Sequence, residues 1–157
     1  MLERLKNKLK TPEDVSRWLL ANVRYVDTKF LRFPKKWRTV EEAYDLKAGN
    51  CVDFALLANY LLDERSQILG IYKNKEAHAI CLFGWREKLW YISNGELYKE
   101  SDSLWDGCLF WAIYNDKGEV LESSCKEKEK DYTHTDLEGT KTAPIVYYRG
   151  SQITICE

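Results

Sequence analysis

Long apolar runs are missing from this chain of 157 residues, and with them any candidate for a membrane-spanning helix. The first ten residues, which carry Lys6, Lys8 and Lys10, also lack the apolar stretch of a secretory signal. Net charge is missing too. Against 25 Asp and Glu stand 24 Lys and Arg, so no overall basic field exists to hold nucleic acid or an anionic membrane. Proline and glycine are sparse, at 3 and 8, and no repeat or linker divides the chain, which fits a single domain over residues 1–157. Histidine is limited to His78 and His134. Cysteine is present without a pattern: Cys51, Cys81, Cys108, Cys125 and Cys156 are odd in number, widely spaced and free of CxxC. That excludes a disulfide framework and a zinc-ligand spacing, and it fits thiols kept reduced in a cytoplasm. No pattern implies a cofactor or a metal.

What the chain has in quantity is aromatic residues, with 6 Trp and 10 Tyr. These fit either a core of large side chains or an aromatic-lined cleft. Three helix starts stand out. Thr11-Pro12-Glu13-Asp14 offers a cap, a proline in the first turn and acids facing the positive helix end, with the helix ending near Arg24. Thr39-Val40-Glu41-Glu42 has the pattern of a capping box and must begin a short helix, because Gly49 lies just ahead. Asn50-Cys51-Val52-Asp53 opens a third helix, in which Phe54, Leu57, Ala58 and Leu61 form a stripe widened by Ala55, Leu56 and Leu62. Such breadth predicts a helix buried in the middle of the domain.

After Ser66 the apolar period changes from helical to two. Residues 68–73, 77–83, 88–94, 108–114, 144–149 and 152–156 read as strands, and the polar stretch 123–142 reads as a mobile surface loop. Helices followed by strands predict an α+β domain, with the central helix starting at Cys51 packed on a mostly antiparallel sheet.

The chemistry converges on Cys51. At a helix N-terminus, after a glycine and a capping residue, free amides and the helix dipole favour thiolate and can hold an oxyanion, the amide of Cys51 among them. The thiol is expected to titrate below its ordinary value and to alkylate ahead of the other four. The alternative is a small apolar residue filling space at a helix end. His78 stands in phase with Ile80 and Leu82, which suits a core histidine as well as a catalytic base. Folding the hairpin symmetrically about Arg86 pairs Phe83 with Leu89, Leu82 with Trp90 and Ile80 with Ile92, and sets His78 opposite Asn94. Asn94 would then orient the ring, the third role of a triad. As half of Asn94-Gly95 it is also a turn residue.

Gly49-Asn50-Cys51-Val52-Asp53-Phe54-Ala55, Ala77-His78-Ala79 and Trp90-Tyr91-Ile92-Ser93-Asn94 together resemble the three motifs of the transglutaminase-like superfamily. The upstream segments Asn22–Tyr25 and Trp37–Glu42 are similar to those preceding the nucleophile in bacterial transglutaminase-like cysteine peptidases. The resemblance runs from Val15 to Asn94 and implies a papain-like fold, with Cys51 as nucleophile, His78 as base and Asn94 as third member. It departs from the family's usual aspartate at Asn94 and at Asn50. Trp37 is a candidate for lining the substrate cleft, or else a core residue. The expected activity is thiol-dependent acyl transfer on peptide or side-chain amides of a protein or peptide substrate. The competing readings are an inactive binding module of the same fold and a metal site built from Cys51, His78 and Cys81.

Overall fold

The structure, a computed structural model, describes residues 1–26, 37–73 and 76–124. The first helices are set by their caps. Helix α1 (Leu2–Lys8), which the apolar pattern did not announce, precedes α2 (Pro12–Asn22). Thr11 and Asp14 of α2 exchange side-chain and backbone hydrogen bonds at 3.1 Å each, closing a capping box. Strand β1 (Arg24–Tyr25) runs parallel to β2 (Ala48–Gly49), on either side of helix α3 (Val40–Leu46). Thr39 and Glu42 close the box of α3. Helix α4 (Cys51–Leu62) begins at the cap Asn50 and is followed by a 3-10 turn, Asp63–Arg65.

The remaining elements are β3 (Ser66–Lys73), β4 (Glu76–Trp85), β5 (Lys88–Ser93), β6 (Glu96–Lys99), a single-turn helix α5 (Asp102–Trp105), β7 (Cys108–Tyr114) and β8 (Val120–Ser123). Strands β3 to β8 form one antiparallel sheet in the order β6-β5-β4-β3-β7-β8. The expected α+β architecture is present. Ser123, expected at the start of a loop, instead closes β8. Ser124 follows it with backbone and side-chain bonds to Trp111, while residues 125–142 and the strands expected at 144–149 and 152–156 lie outside the described residues.

Both faces of the sheet are apolar, and this property leaves the register open. On one face Ile68, Ala79, Cys81, Phe83, Ile92 and Phe110 pack with the stripe of α4. On the other, Leu69, Ile71 and Ile80 are buried with Leu104 of α5. Alternation along β4 and β5 is therefore satisfied in either phase, because each phase has a buried place to go. The observed pairs are Trp85 with Lys88, Phe83 with Trp90 and Cys81 with Ile92. This is one residue away from the symmetric fold about Arg86. The turn settles the choice: Arg86 and Glu87 have φ of 55° and 65°, which makes a two-residue type I′ turn that matches strand twist. Gly84, expected in the loop, lies within β4.

Candidate active site

The approach to Cys51 is held from several sides. Val26 N–H donates to the Gly49 carbonyl at 2.8 Å, and Arg24 N–H to that of Lys47 at 3.0 Å. Asn50 Oδ1 accepts from the amides of Val52 at 3.0 Å and Asp53 at 3.4 Å. Asp53 Oδ2 accepts from the Asn50 amide at 2.9 Å, completing a third capping box. Asp53 is only 3% exposed, and its charge is met by Arg38, whose Nε and Nη2 donate at 2.9 and 3.0 Å to the two carboxylate oxygens. Gly49 is required for this clasp: a Cβ there would stand 2.2 Å from Asp53 Oδ2. The close approach expected at Gly49 is therefore made by the chain's own carboxylate.

The sulfur itself occupies a gap in the sheet. Strand β4 begins at Glu76, but its pairing with β5 ends at Cys81 and Ile92. Because Trp85 and Lys88 bound a two-residue turn, odd-numbered residues of β4 point their N–H groups toward the β5 side. The amide of Ala79 therefore points past the end of β5, and there it donates to Cys51 Sγ at 3.4 Å. Cys51 thus takes a hydrogen bond that a longer β5 would have taken. The amide belongs to the residue directly after His78.

His78 stands opposite Ile71, so its Cβ leaves the sheet on the Ile71–Ile80 side rather than toward α4. The half-buried ring places Nε2 2.7 Å from Ser93 Oγ, and Ser93 is the last residue of β5. Asn94 does not stand opposite His78. With φ of 49° it forms, with Gly95 at 91°, the turn between Ser93 and Glu96, which pair across it. Its Oδ1 is buried and accepts no hydrogen bond among the described residues. The turn is pinned from α2, where Ser16 Oγ donates to the Gly95 carbonyl at 2.6 Å. Trp37 packs its ring on Tyr114 of β7, centroids 5.2 Å apart, and against Gly118. Trp37 is half-buried and packs against the core on the β7 side of the sheet.

Electrostatics correct one expectation. Burial pushes the Cys51 thiol above its ordinary value and outweighs the amide of Ala79, which favours thiolate. The charge of Asp53 adds to the upward shift, while the amides of Cys51 and Val52 oppose it. The helix N-terminus acts in the expected direction, but two of its amides are already engaged by Asn50. Burial thus favours the protonated thiol at Cys51. As for a metal, no group of three His, Cys, Asp or Glu among the described residues is placed to hold one.

Sequence reasoning placed Cys51 at a helix start and His78 on a strand, and it reached Ser93 only as the outcome of a one-residue slip, set aside because it would turn Trp90 and Ile92 from the core. The structure shows a one-residue slip, and both faces of the sheet are apolar. The signal for Ser93 was available in Asn94-Gly95. Two residues suited to positive φ make a type I′ turn, which ends the strand at Ser93.

No family model matches the chain, and neither does any curated protein. Solved structures do. LapG from Legionella pneumophila aligns over 82% of this chain and 81% of its own, at 16% identity and a TM-score of 0.55. An EGTA-treated LapG from the same organism aligns over 71% and 72%, at 15% identity and a TM-score of 0.53. At such identity the likeness is one of fold. Helices packed on a six-stranded antiparallel sheet, with a cysteine opening the central helix, give this chain an α+β fold that it shares with LapG.

Proposed function

We propose that the protein is a transglutaminase-like cysteine peptidase or amidase, acting on peptide or side-chain amides of a protein or peptide substrate. One observation carries the reading: the sulfur of Cys51, at the N-terminus of α4, is hydrogen-bonded to the amide next to His78. Cys51 is the nucleophile and His78 the base. As Sγ attacks the amide carbonyl, the thiol proton passes to the imidazole. The tetrahedral intermediate collapses with cleavage of the C–N bond, and the imidazolium returns the proton to the departing amine. A thioester remains on Cys51, and water or a second amine, deprotonated by His78, releases the acyl group. The Cys51 amide is the candidate donor to the oxyanion, because Asn50 already engages those of Val52 and Asp53.

Burial that favours the protonated thiol suits this sequence of steps, because the base then removes its proton when substrate is in place. The same upward shift supports a second reading, an inactive module that keeps the fold and binds peptide. A screen of peptide and glutamine-amide substrates separates the two. Turnover is expected to vanish in Cys51→Ala and to fall by about 10²–10⁴ in kcat/KM in His78→Ala. Turnover that survives Cys51→Ala would remove Cys51 from the mechanism. Saturable peptide binding that leaves both substrates and Cys51 unmodified would establish the binding module.

A further inference from the structure

We infer that Ser93 is the positioning residue of this site, holding the imidazole of His78 through Nε2 and so fixing the orientation from which the ring serves Cys51. The inference rests on the proposed Cys51–His78 pair and adds the group that sets the ring's orientation and, by accepting from Nε2, would favour one tautomer. It replaces the expectation placed on Asn94.

The geometry that carries it is direct. Ser93 Oγ lies 2.7 Å from His78 Nε2, a short distance for a hydroxyl on an imidazole nitrogen. Ser93 is also a rigid place from which to orient a ring. It pairs with Glu96 across the Asn94-Gly95 turn, and the turn is tied to α2 by Ser16. Gly95 packs so closely that a Cβ would meet Leu20 Cδ2 at 3.1 Å and Phe54 Cε1 at 3.3 Å. Phe54 lies one turn into α4 from Cys51, so the same packing fixes the end of β5 relative to the helix that carries the nucleophile.

A neutral hydroxyl does work here that a carboxylate does not. For His78 to accept a proton from Cys51 on one nitrogen, the neutral ring must carry its own proton on the other. With that proton on Nε2, Ser93 Oγ accepts it, leaving Nδ1 as the base. After proton transfer Nε2 still donates and Ser93 still accepts, so the contact survives both charge states. A hydroxyl adds no negative charge to stabilise imidazolium in advance. It therefore orients the base without drawing the pair toward thiolate and imidazolium at rest.

Three variants test this, read by the rate at which iodoacetamide alkylates Cys51 at neutral pH and by the ring-nitrogen NMR shifts of His78. Ser93→Ala is expected to slow alkylation roughly three- to tenfold, the equivalent of one hydrogen bond, and to let both ring tautomers populate. Ser93→Thr keeps the hydroxyl and is expected to restore the rate and the single tautomer with the proton on Nε2. Asn94→Gly suits the positive φ and removes the side chain, and is expected to leave both readouts unchanged. A single Nε2-protonated tautomer that persists in Ser93→Ala overturns the inference, as does a loss in Asn94→Gly equal to that in Ser93→Ala. His78→Ala, measured alongside, keeps the two claims apart. If it leaves alkylation of Cys51 unchanged, the Cys51–His78 pair itself fails, whatever the Ser93 variants do to the ring.

Discussion

Gly49 shows how much at this site depends on single side chains that touch no substrate. Its missing Cβ makes room for Asp53, which caps the Asn50 amide and neutralises Arg38 within the same few ångströms. A buried carboxylate with a bidentate partner is costly to disturb, because the surviving charge loses its compensation. Gly49→Ala is expected to displace Asp53 and destabilise the protein by about 2 kcal/mol, the scale of an overpacked core position. A urea titration would show it as a lowered midpoint at unchanged slope. A midpoint equal to that of the unaltered protein would mean that Asp53 has room to move aside. Gly49 and Cys51 were both noticeable as residues, yet the partner of Gly49 was not, because Arg38 and Asp53 meet only when the segment before α3 folds back on α4.

Among the elements, the β4–β5 hairpin governs what faces what. Its two turn residues, Arg86 and Glu87, adopt left-handed backbone at about 1–2 kcal/mol each for side chains of this kind. Arg86 recovers part of that cost by stacking over Trp85, 4.1 Å from the ring centroid. Replacing the pair with Asn-Gly, residues suited to a type I′ turn, is expected to raise stability by about 1 kcal/mol after that stacking is lost. The gain would appear as a higher denaturation midpoint, with cross-strand contacts between Cys81 and Ile92 retained. A fall in stability, or contacts moved to Ile80 and Ile92, would mean that the register is set elsewhere. The extents of β4, β5 and β7 were readable from alternation to within two residues, but their mutual register was not. A sheet apolar on both faces offers two satisfactory phases, and only the turn geometry distinguishes them.

Across the whole molecule, the sheet interior is dry enough to show in its titration. Cys81 is fully buried between the sheet and α4, and burial pushes its thiol from 9.0 up to about 12. Between those values the unfolded chain has lost the proton and the folded one keeps it. The unfolded state then binds fewer protons, so stability falls as pH rises. The contribution is complete below about pH 9, erodes above it and is gone once pH passes about 12. Cys51 and Cys108 shift in the same direction, so alkaline destabilisation is shared among the thiols. Cys81→Ala is expected to be less stable at pH 8 by about 1 kcal/mol, through the small cavity it leaves. Its stability should also decline less steeply between pH 9 and 11. Parallel pH profiles for the two proteins would show that Cys81 ionises no differently on unfolding.

What the sequence determined by itself is local in origin. Thr11, Thr39 and Asn50 announce helix starts through bonds to residues three positions away, and the breadth of the apolar stripe from Phe54 to Leu62 marks α4 as the central helix. Helices followed by strands then lead to the α+β class, and the position of Cys51 at a helix start needs only its neighbours. The tertiary structure decided everything that joins distant segments. It set Cys51 in the gap beyond the end of β5, gave the ring of His78 to Ser93 and put Asn94 in a turn. It also raised the thiol that the helix end alone would have lowered. The physical reason is the same in each case. Capping and periodicity are short-range and written in adjacent residues, whereas register and desolvation depend on which surfaces meet, and here both faces of the sheet had surfaces to meet.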